Sequence, residues 1–325
     1  MSRSAGVGLP SERTAIRSAS AVIPTRLSRP TTLRRALASA RAQQGVEIEI
    51  IVVVNNVEPD ASLPDDLGSD VRLITLPGRS SVGEARNVGA AAASNEWVGF
   101  LDDDDEWLPD KIARQLDVAA HAGRSVIVAT RYNLLVDGLL VGVRPPHTPP
   151  ANQDLSEWLL CSRWPLSTGA HAGSSSLLAH VDLLERCGFR EMAMFQDHDW
   201  VLRSVRHHGA HFVQLDEPLT NYHGTTSDPH ASTSGSWRDL ERWVEGNPDL
   251  VTPRSAAAAL LLTAIRQPDA RRDYRRLVRS AFEHGRPHPL DLLASLAVVH
   301  PAPRRWRRSV DAYLASRRPS LRGAR

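Results

Sequence analysis

The chain has 325 residues, 42% of them apolar, and a formal net charge of +2. That length admits one large domain or two modest ones, and the small net charge argues against a surface built wholly for polyanions. Lys111 is the only lysine, so the positive charge is nearly all arginine. Two cysteines, Cys161 and Cys187, form neither a metal-type spacing nor a disulfide framework, which suits a reducing compartment. The opening residues MSRSAGVGLPSERTAIRSAS lack the apolar stretch of a secretion signal. No apolar run reaches the roughly 18–20 residues of a membrane span. AAAALLLTAI from Ala256 and LDLLASLAVV from Leu290 are helix segments instead. The expectation is a cytoplasmic protein, at most peripheral to the inner face of the membrane.

In chain order, residues 1–17 read as a disordered leader. SASAVIPT is a short buried strand ending at Pro24-Thr25. From Thr31, Leu33, Ala36, Leu37 and Ala40 have helical spacing. EIEIIVVV, Glu47 to Val54, is β-branched and nearly continuous, as in a strand covered on both faces. VRLITLP from Val71 is a third strand, SSVGEARNVGAAAAS from Ser80 a helix, and EWVGFL from Glu96 a fourth strand. A helix with Pro109 near its first turn follows, then a strand from Ser125. This alternation predicts an α/β fold with a mostly parallel sheet flanked by helices. Ligands of such sheets bind at the carboxyl ends of the strands.

RPPHTPP from Arg144 is a proline-rich break, after which LSEWLLCSRW, SSSLLAHVDLLERCGF and FQDHDWVLRSVRHHG mix helix and strand. From about Pro253 the chain reads as helical to its end, with arginine pairs at 271–272, 275–276, 304–305, 307–308 and 317–318. A solvated helical face is the expected role of these arginines. Contact with an anionic membrane leaflet is the alternative. Nucleic-acid binding is the less favoured reading of these arginines.

The fourth strand ends in GFLDDDDEWLPDK, with four aspartates in a row, Asp102 to Asp105. Adjacent carboxylates repel by about 1 kcal/mol at ~4 Å in water and by about 4 kcal/mol near a protein surface. A strand end that keeps them together has either a solvated loop or a cation to hold. An EF-hand needs glycine at the sixth position, where Trp107 stands. A phosphatase-type DXDX[TV] start fails because Glu106 stands in place of Thr or Val.

The order AVIPT, EIIVVVNN, SSVGEARNVGAAAASNEWVGFLDDDDEWLPDK and FQDHDWVLRSV resembles the family 2 glycosyltransferases of GT-A fold. The likeness covers roughly Ser20 to Tyr222, and its most specific block is Gly83 to Lys111. It implies an inverting enzyme that uses a nucleotide-diphosphate sugar. It divides the chain into a GT-A domain over 18–250 and a helical extension over 251–325. Within the domain, a nucleotide-sugar half spans about 18–143 and an acceptor half about 151–250.

The resemblance also implies roles by position. Pro24 and Thr25 fall at the nucleotide, Thr25 as a contact to the base, and Asn55 stands where the family places a base-contacting aspartate. Arg86 falls in the nucleotide pocket, and Asp102 to Asp104 match the DXD motif. Asp104 is then the expected direct ligand of Mn²⁺ or Mg²⁺, with Asp103 near the ribose or the metal and His223 completing the metal shell. Asp197, in QDHDW, matches the catalytic base, with Asp199 as its backup. Trp158, Trp164 and His171 flank the acceptor side, where aromatics stack on sugars or pack the core.

The chemistry supports these residue types. Negative charge builds on a departing diphosphate, and a hard divalent cation held by carboxylates neutralises it. A separate carboxylate must take the proton of the acceptor hydroxyl. The expected partners are a nucleotide-diphosphate sugar and a glycan, lipid-linked or small-molecule acceptor. Val54 and Asn55 replace usual acids, and Gln196 replaces the glutamate before the base. These departures motivate a non-catalytic sugar-nucleotide or glycan-binding protein as the alternative. A nucleotidyltransferase is disfavoured, since IPTRLSRP carries Arg26 and Arg29 but no glycine.

Overall fold

The computed structural model of the protein describes residues 17–56, 67–161, 172–224, 235–264, 267 and 269–299. The expected leader (apart from residue 17), Trp164, His171 and the arginine pairs beyond residue 300 lie outside the described residues. The chain runs through β1 (Ser18–Thr25), α1 (Pro30–Arg41), β2 (Glu47–Val54), β3 (Val71–Thr75), α2 (Val82–Ala91) and β4 (Trp97–Phe100). It continues through β5 (Glu106–Trp107), α3 (Lys111–Ala122), β6 (Val126–Val136), β7 (Leu139–Arg144) and α4 (Leu155–Leu160). A 3₁₀ turn (Ser174–Ser176) leads to β8 (Leu177–His180), α5 (Val181–Arg186), α6 (Gln196–His208) and β9 (His211–Gly224). The remainder is α7 (Trp237–Gly246), α8 (Pro253–Ala258), a π-helical turn (Ala259–Thr263), α9 (Tyr274–His284) and α10 (Pro289–Val299).

The chain folds into two compact units that interleave in sequence. The first comprises Met1–Asn133, Ser174–Gly188 and Ala210–His223, and the second Leu134–Gly173, Phe189–Gly209 and Gly224–Arg325. The sequence reading drew contiguous segments instead. Residues 253–258 are tied back to α4 through Ser156 Oγ and Ser255 Oγ, 2.7 Å apart.

In the first unit β3, β2, β1 and β4 are parallel neighbours. β8 extends this sheet antiparallel to β4, and β6 pairs antiparallel to β8. β9 and β5 pair antiparallel further along, with Glu106 opposite Asn221. The near-continuous burial of β1 and the inner half of β2 follows from their central place, covered on both faces. Leu33, Ala36, Leu37 and Ala40 of α1 face this sheet, as their spacing predicts, and pack on Ala19, Ala21, Ile23, Val52 and Val54. The register sets Thr25 beside Val54, and Asn55 N–H donates to Thr25 O at 2.9 Å. Leu101 N–H donates to Val22 O at 3.0 Å, so the aspartates leave from the same sheet edge as Thr25 and Asn55. The helix expected to carry Pro109 in its first turn starts at Lys111, because Lys111 N–H closes a turn onto Leu108 O at 3.1 Å.

Two glycines allow the close packing that aims the site. A Cβ on Gly89 would meet Val22 Cγ1 at 2.3 Å, so α2 lies against β1 only with glycine there. A Cβ on Gly99 would meet the Trp107 ring at 2.9 Å.

The second unit is mainly helical, with Trp158, Trp200 and Trp237 fully buried and Phe189 stacked on Trp200 at 4.9 Å. Trp158 thus packs the core. Thr252 caps α8 through a reciprocal bond with Ser255. No helix among the described residues is long and apolar enough to cross a membrane. Replacing Gly89 by Ala should force α2 off β1 and destabilise the protein by about 1–3 kcal/mol. Urea unfolding measures this, and adding Val22→Ala should recover part of the loss.

Candidate functional site

The acidic run is two-faced. Asp103, Asp105 and Trp107 are buried, while Asp102, Asp104 and Glu106 are partly exposed. The chain turns here, Asp105 N–H donating to Asp102 O at 3.1 Å, before it enters β5. The turn divides five consecutive acids into an inward set and an outward set.

The inward set is held by hydroxyls and a backbone amide. Thr25 Oγ1 donates to Asp103 at 2.6 Å, which ties the end of β1 to the acidic loop. Ser175 Oγ donates to Asp105 at 2.6 Å, and His223 N–H donates to its other oxygen at 3.1 Å. Burial pushes the Asp103 carboxyl up to about 6, and the charges of Asp104 and Asp102 add to the rise against the opposing Thr25 and Arg29. Asp105 is raised well above the usual carboxylate range for the same reasons, burial first.

The outward set meets arginines. Arg86 on α2 donates to Asp102 at 2.7 Å and to Ser174 Oγ at 2.6 Å, and its side chain is only 4% exposed. Arg29, just before α1, reaches Asp104 at 2.6 Å and Asp103 at 3.2 Å, with its side chain 45% exposed. Arg35 donates to Asp104 O at 2.7 Å and lies 3.4 Å from Glu106. His223 Nε2 sits 2.7 Å from Glu106 Oε2. Behind the loop, Lys111 is fully buried, donates to Gln115 at 2.7 Å and lies 4.4 Å from the Trp107 ring. Burial alone lowers its pKa well below the usual lysine range. Gln115 in turn donates to Ser176 O at 2.9 Å, which fixes the serine turn against the acids.

Asn55 is buried, and its amide NH₂ donates to Ser80 O at 3.3 Å. The donor end is thereby committed, and the oxygen end is the one that can accept from a ligand. Pro24 pairs with Val53 inside the sheet and sets the backbone that carries Thr25.

Thr25, Asn55, Arg86, Asp102, Asp103, Asp104 and His223 all belong to the first unit. Asp197 belongs to the second, in the first turn of α6, after Phe195 in the left-handed region (φ 73°). Gln196 donates its side-chain amide to Met192 O, so it braces this turn. Asp199 is fully buried and accepts from Arg203 at 2.8 Å, Trp243 Nε1 at 2.9 Å and Arg190 at 3.3 Å. Those bonds occupy both oxygens and make Asp199 a structural tie, which removes it as the backup base.

Sequence reasoning missed Arg29, Arg35, Glu106 and the Ser174–Ser176 turn as parts of the site. A polar SSS directly before an apolar strand was the visible signal for the serines. Nothing in the local sequence pairs Arg29 with residues 74 and 75 positions away.

In a parallel α/β sheet of this kind, polar side chains and carboxylates gathered at the strand ends stand where such sheets bind their ligands. Residues 20–148 match the profile of Glycosyl transferase family 2. It is 38% identical to the succinoglycan biosynthesis protein ExoO of Rhizobium meliloti over 33% of this chain and 31% of that protein. It is 28% identical to the amylovoran biosynthesis glycosyltransferase AmsB of Erwinia amylovora over 49% of this chain and 52% of that protein. The matches therefore span between about a third and a half of the lengths of these two relatives. Among solved structures, TarS of S. aureus aligns over 83% of this chain and 44% of that one, with 17% identity and a TM-score of 0.49.

Because the folded Asp103 pKa of about 6 lies above its unfolded value of roughly 3.9, the folded state binds the extra proton between them. Its stabilising contribution is complete below about pH 4 and is lost as pH rises through 6, a change of about 3 kcal/mol. Asp103→Asn keeps the acceptor for Thr25 and should flatten this part of the profile. Relative to wild type it should gain stability above pH 6, measured by urea unfolding from pH 4 to 7.

Proposed function

We propose that the protein is a metal-dependent, inverting glycosyltransferase that moves a sugar from a nucleotide-diphosphate sugar to an acceptor hydroxyl. The observation that carries the reading is the convergence of Thr25, Asn55, Arg86, Asp102 and Asp104 at one sheet edge. The polysaccharide pathways named in two relatives support an acceptor within polysaccharide biosynthesis.

The donor set fits a hard divalent cation. Asp102 and Asp104 are the partly exposed carboxylates of the run, beside Asp103, whose carboxyl burial holds above its ordinary value. Among the described residues no three His, Cys, Asp or Glu side chains are placed as a ready-made cage. That suits Mg²⁺ or Mn²⁺, which take one or two carboxylates and complete their shell with substrate phosphates and water. Asp104 and Asp102 would hold the ion, with His223 as the further ligand once released from Glu106. The ion would neutralise charge building on the departing diphosphate.

The chain's own groups do the rest. Asn55 and the Thr25 turn receive the base, and Arg86 holds Asp102 in place beside the nucleotide. Asp197 takes the proton of the acceptor hydroxyl as its oxygen bonds to the anomeric carbon. The bond from that carbon to the diphosphate oxygen breaks, and the nucleoside diphosphate leaves with the electron pair. One base with no second nucleophile inverts the anomeric centre.

The test is donor binding and hydrolysis across a panel of nucleotide sugars, with Mn²⁺ or Mg²⁺ and then with EDTA. EDTA and Asp104→Ala should abolish turnover. Asp197→Asn should keep donor affinity and lower transfer by about 10²–10⁴-fold. Transfer that survives both substitutions refutes the reading, and binding without turnover in the presence of acceptor moves the protein to the sugar-nucleotide-binding class. Arg29 competes for the carboxylates of Asp103 and Asp104. Arg29→Ala should therefore tighten Mn²⁺ binding in the absence of donor, read by electron paramagnetic resonance.

A further inference from the structure

Helix α10 is inside out. Its polar residues Asp291 and Ser295 are fully buried, while Leu290, Leu293 and Leu296 are 40%, 59% and 41% exposed. At 100° per residue the three leucines span an arc opposite the one that holds Asp291 and Ser295. Ser295 Oγ is satisfied by Tyr274 Oη at 2.9 Å and by Leu292 O at 2.8 Å. Asp291 is not satisfied in this way. Its carboxylate oxygens have no hydrogen-bond partner, and the guanidinium of Arg254 stands 3.7 Å away. Burial raises the Asp291 pKa accordingly.

A surface helix in water normally turns the other way, with its leucines inward and its aspartate outward. The observed orientation is favourable where the outer face meets an apolar phase. The neighbouring helix gives that phase a charge. Phe282 of α9 is 59% exposed. Arg271, Arg272, Arg275, Arg276, Arg279 and Arg286 are exposed along the same stretch. The exposed acid among them is Glu283, which is paired with Arg279 at 2.7 Å. Beyond α10 the sequence continues with PAPRRWRRSV, more arginine around a tryptophan. A protein partner would have to supply both an apolar groove and an acidic rim. An anionic bilayer supplies acyl chains and headgroup charge together. At 11 residues, α10 is too short to span a bilayer and long enough to lie in its interface.

We propose that the leucine face of α10, with Phe282 and the exposed arginines of α9, docks the protein on an anionic lipid bilayer. This surface is independent of the carboxylate site, so its failure would leave sugar transfer untouched. The experiment is co-sedimentation of the full chain with vesicles of phosphatidylcholine alone and with added phosphatidylglycerol, at low and high salt. Wild type should partition onto the anionic vesicles, less so at high salt, and poorly onto the neutral ones. Leu290→Gln/Leu293→Gln/Leu296→Gln should weaken partition by about tenfold or more without lowering the thermal midpoint. Arg275→Gln/Arg276→Gln/Arg279→Gln keeps the leucines and should remove most of the salt-sensitive part of binding. Absence of anionic-vesicle binding, or equal binding by both variants, overturns the proposal. So does light scattering that shows a wild-type oligomer made monomeric by the leucine variant without any vesicle binding, since the face is then a protein interface.

Discussion

Five acidic side chains in succession, Asp102 to Glu106, must be accommodated at the end of one buried strand. A turn closed by Asp105 N–H on Asp102 O solves half of the problem, because it leaves Asp103 and Asp105 buried and Asp102, Asp104 and Glu106 partly exposed. Compensation solves the other half. Thr25 and Ser175 meet the inward carboxylates, and Arg86, Arg29, Arg35 and His223 meet the outward ones. These partners come from the end of β1, from α1, α2, β9 and the serine turn. The acidic run therefore organises most of the first unit's sheet edge.

The compensation is uneven, and the unevenness gives the edge its chemistry. Arg86 is buried and makes two short hydrogen bonds, so Asp102 has a fixed partner. Arg29 is half-exposed and shares its charge between Asp103 and Asp104. An exposed arginine pair is worth little on its own, so Arg29 can leave these carboxylates at small cost. The elevated Asp103 pKa has a different origin, burial first, with the charges of Asp104 and Asp102 adding to it. In the second unit, Asp199 shows the opposite outcome. Two arginines and a tryptophan satisfy it, and it serves the core.

The second unit poses a different constraint. Its tryptophans and capped helices make an ordinary core, yet α10 turns three of its four leucines out and its aspartate in. Hydrophobic burial alone would select the reverse, so this face carries information about what surrounds the protein. The arginines of α9, which read in the sequence as a solvated face, acquire another meaning once Phe282 and the leucines stand exposed beside them.

By itself the sequence determined the strand–helix alternation of the first 130 residues, the strand that delivers the aspartates, and the family likeness. Those features are local: β-branched runs such as EIEIIVVV and helical spacing such as Leu33, Ala36, Leu37 and Ala40 hold whatever packs on them. It also brought Thr25, Asn55 and the aspartates into one list, because each follows a strand end, and the family likeness added Arg86 to it. Tertiary structure alone decided which aspartates face inward, that Arg29 and the serine turn join them, and that Asp199 is structural. It also decided that the compact units interleave and that α10 is inverted. Each of these depends on contacts between residues dozens of positions apart, as between Arg29 and Asp104 or Ser175 and Asp105. No periodicity in one chain segment encodes such a contact, because the partner's position is set by sheet register and by close approaches such as that of Gly89 on Val22.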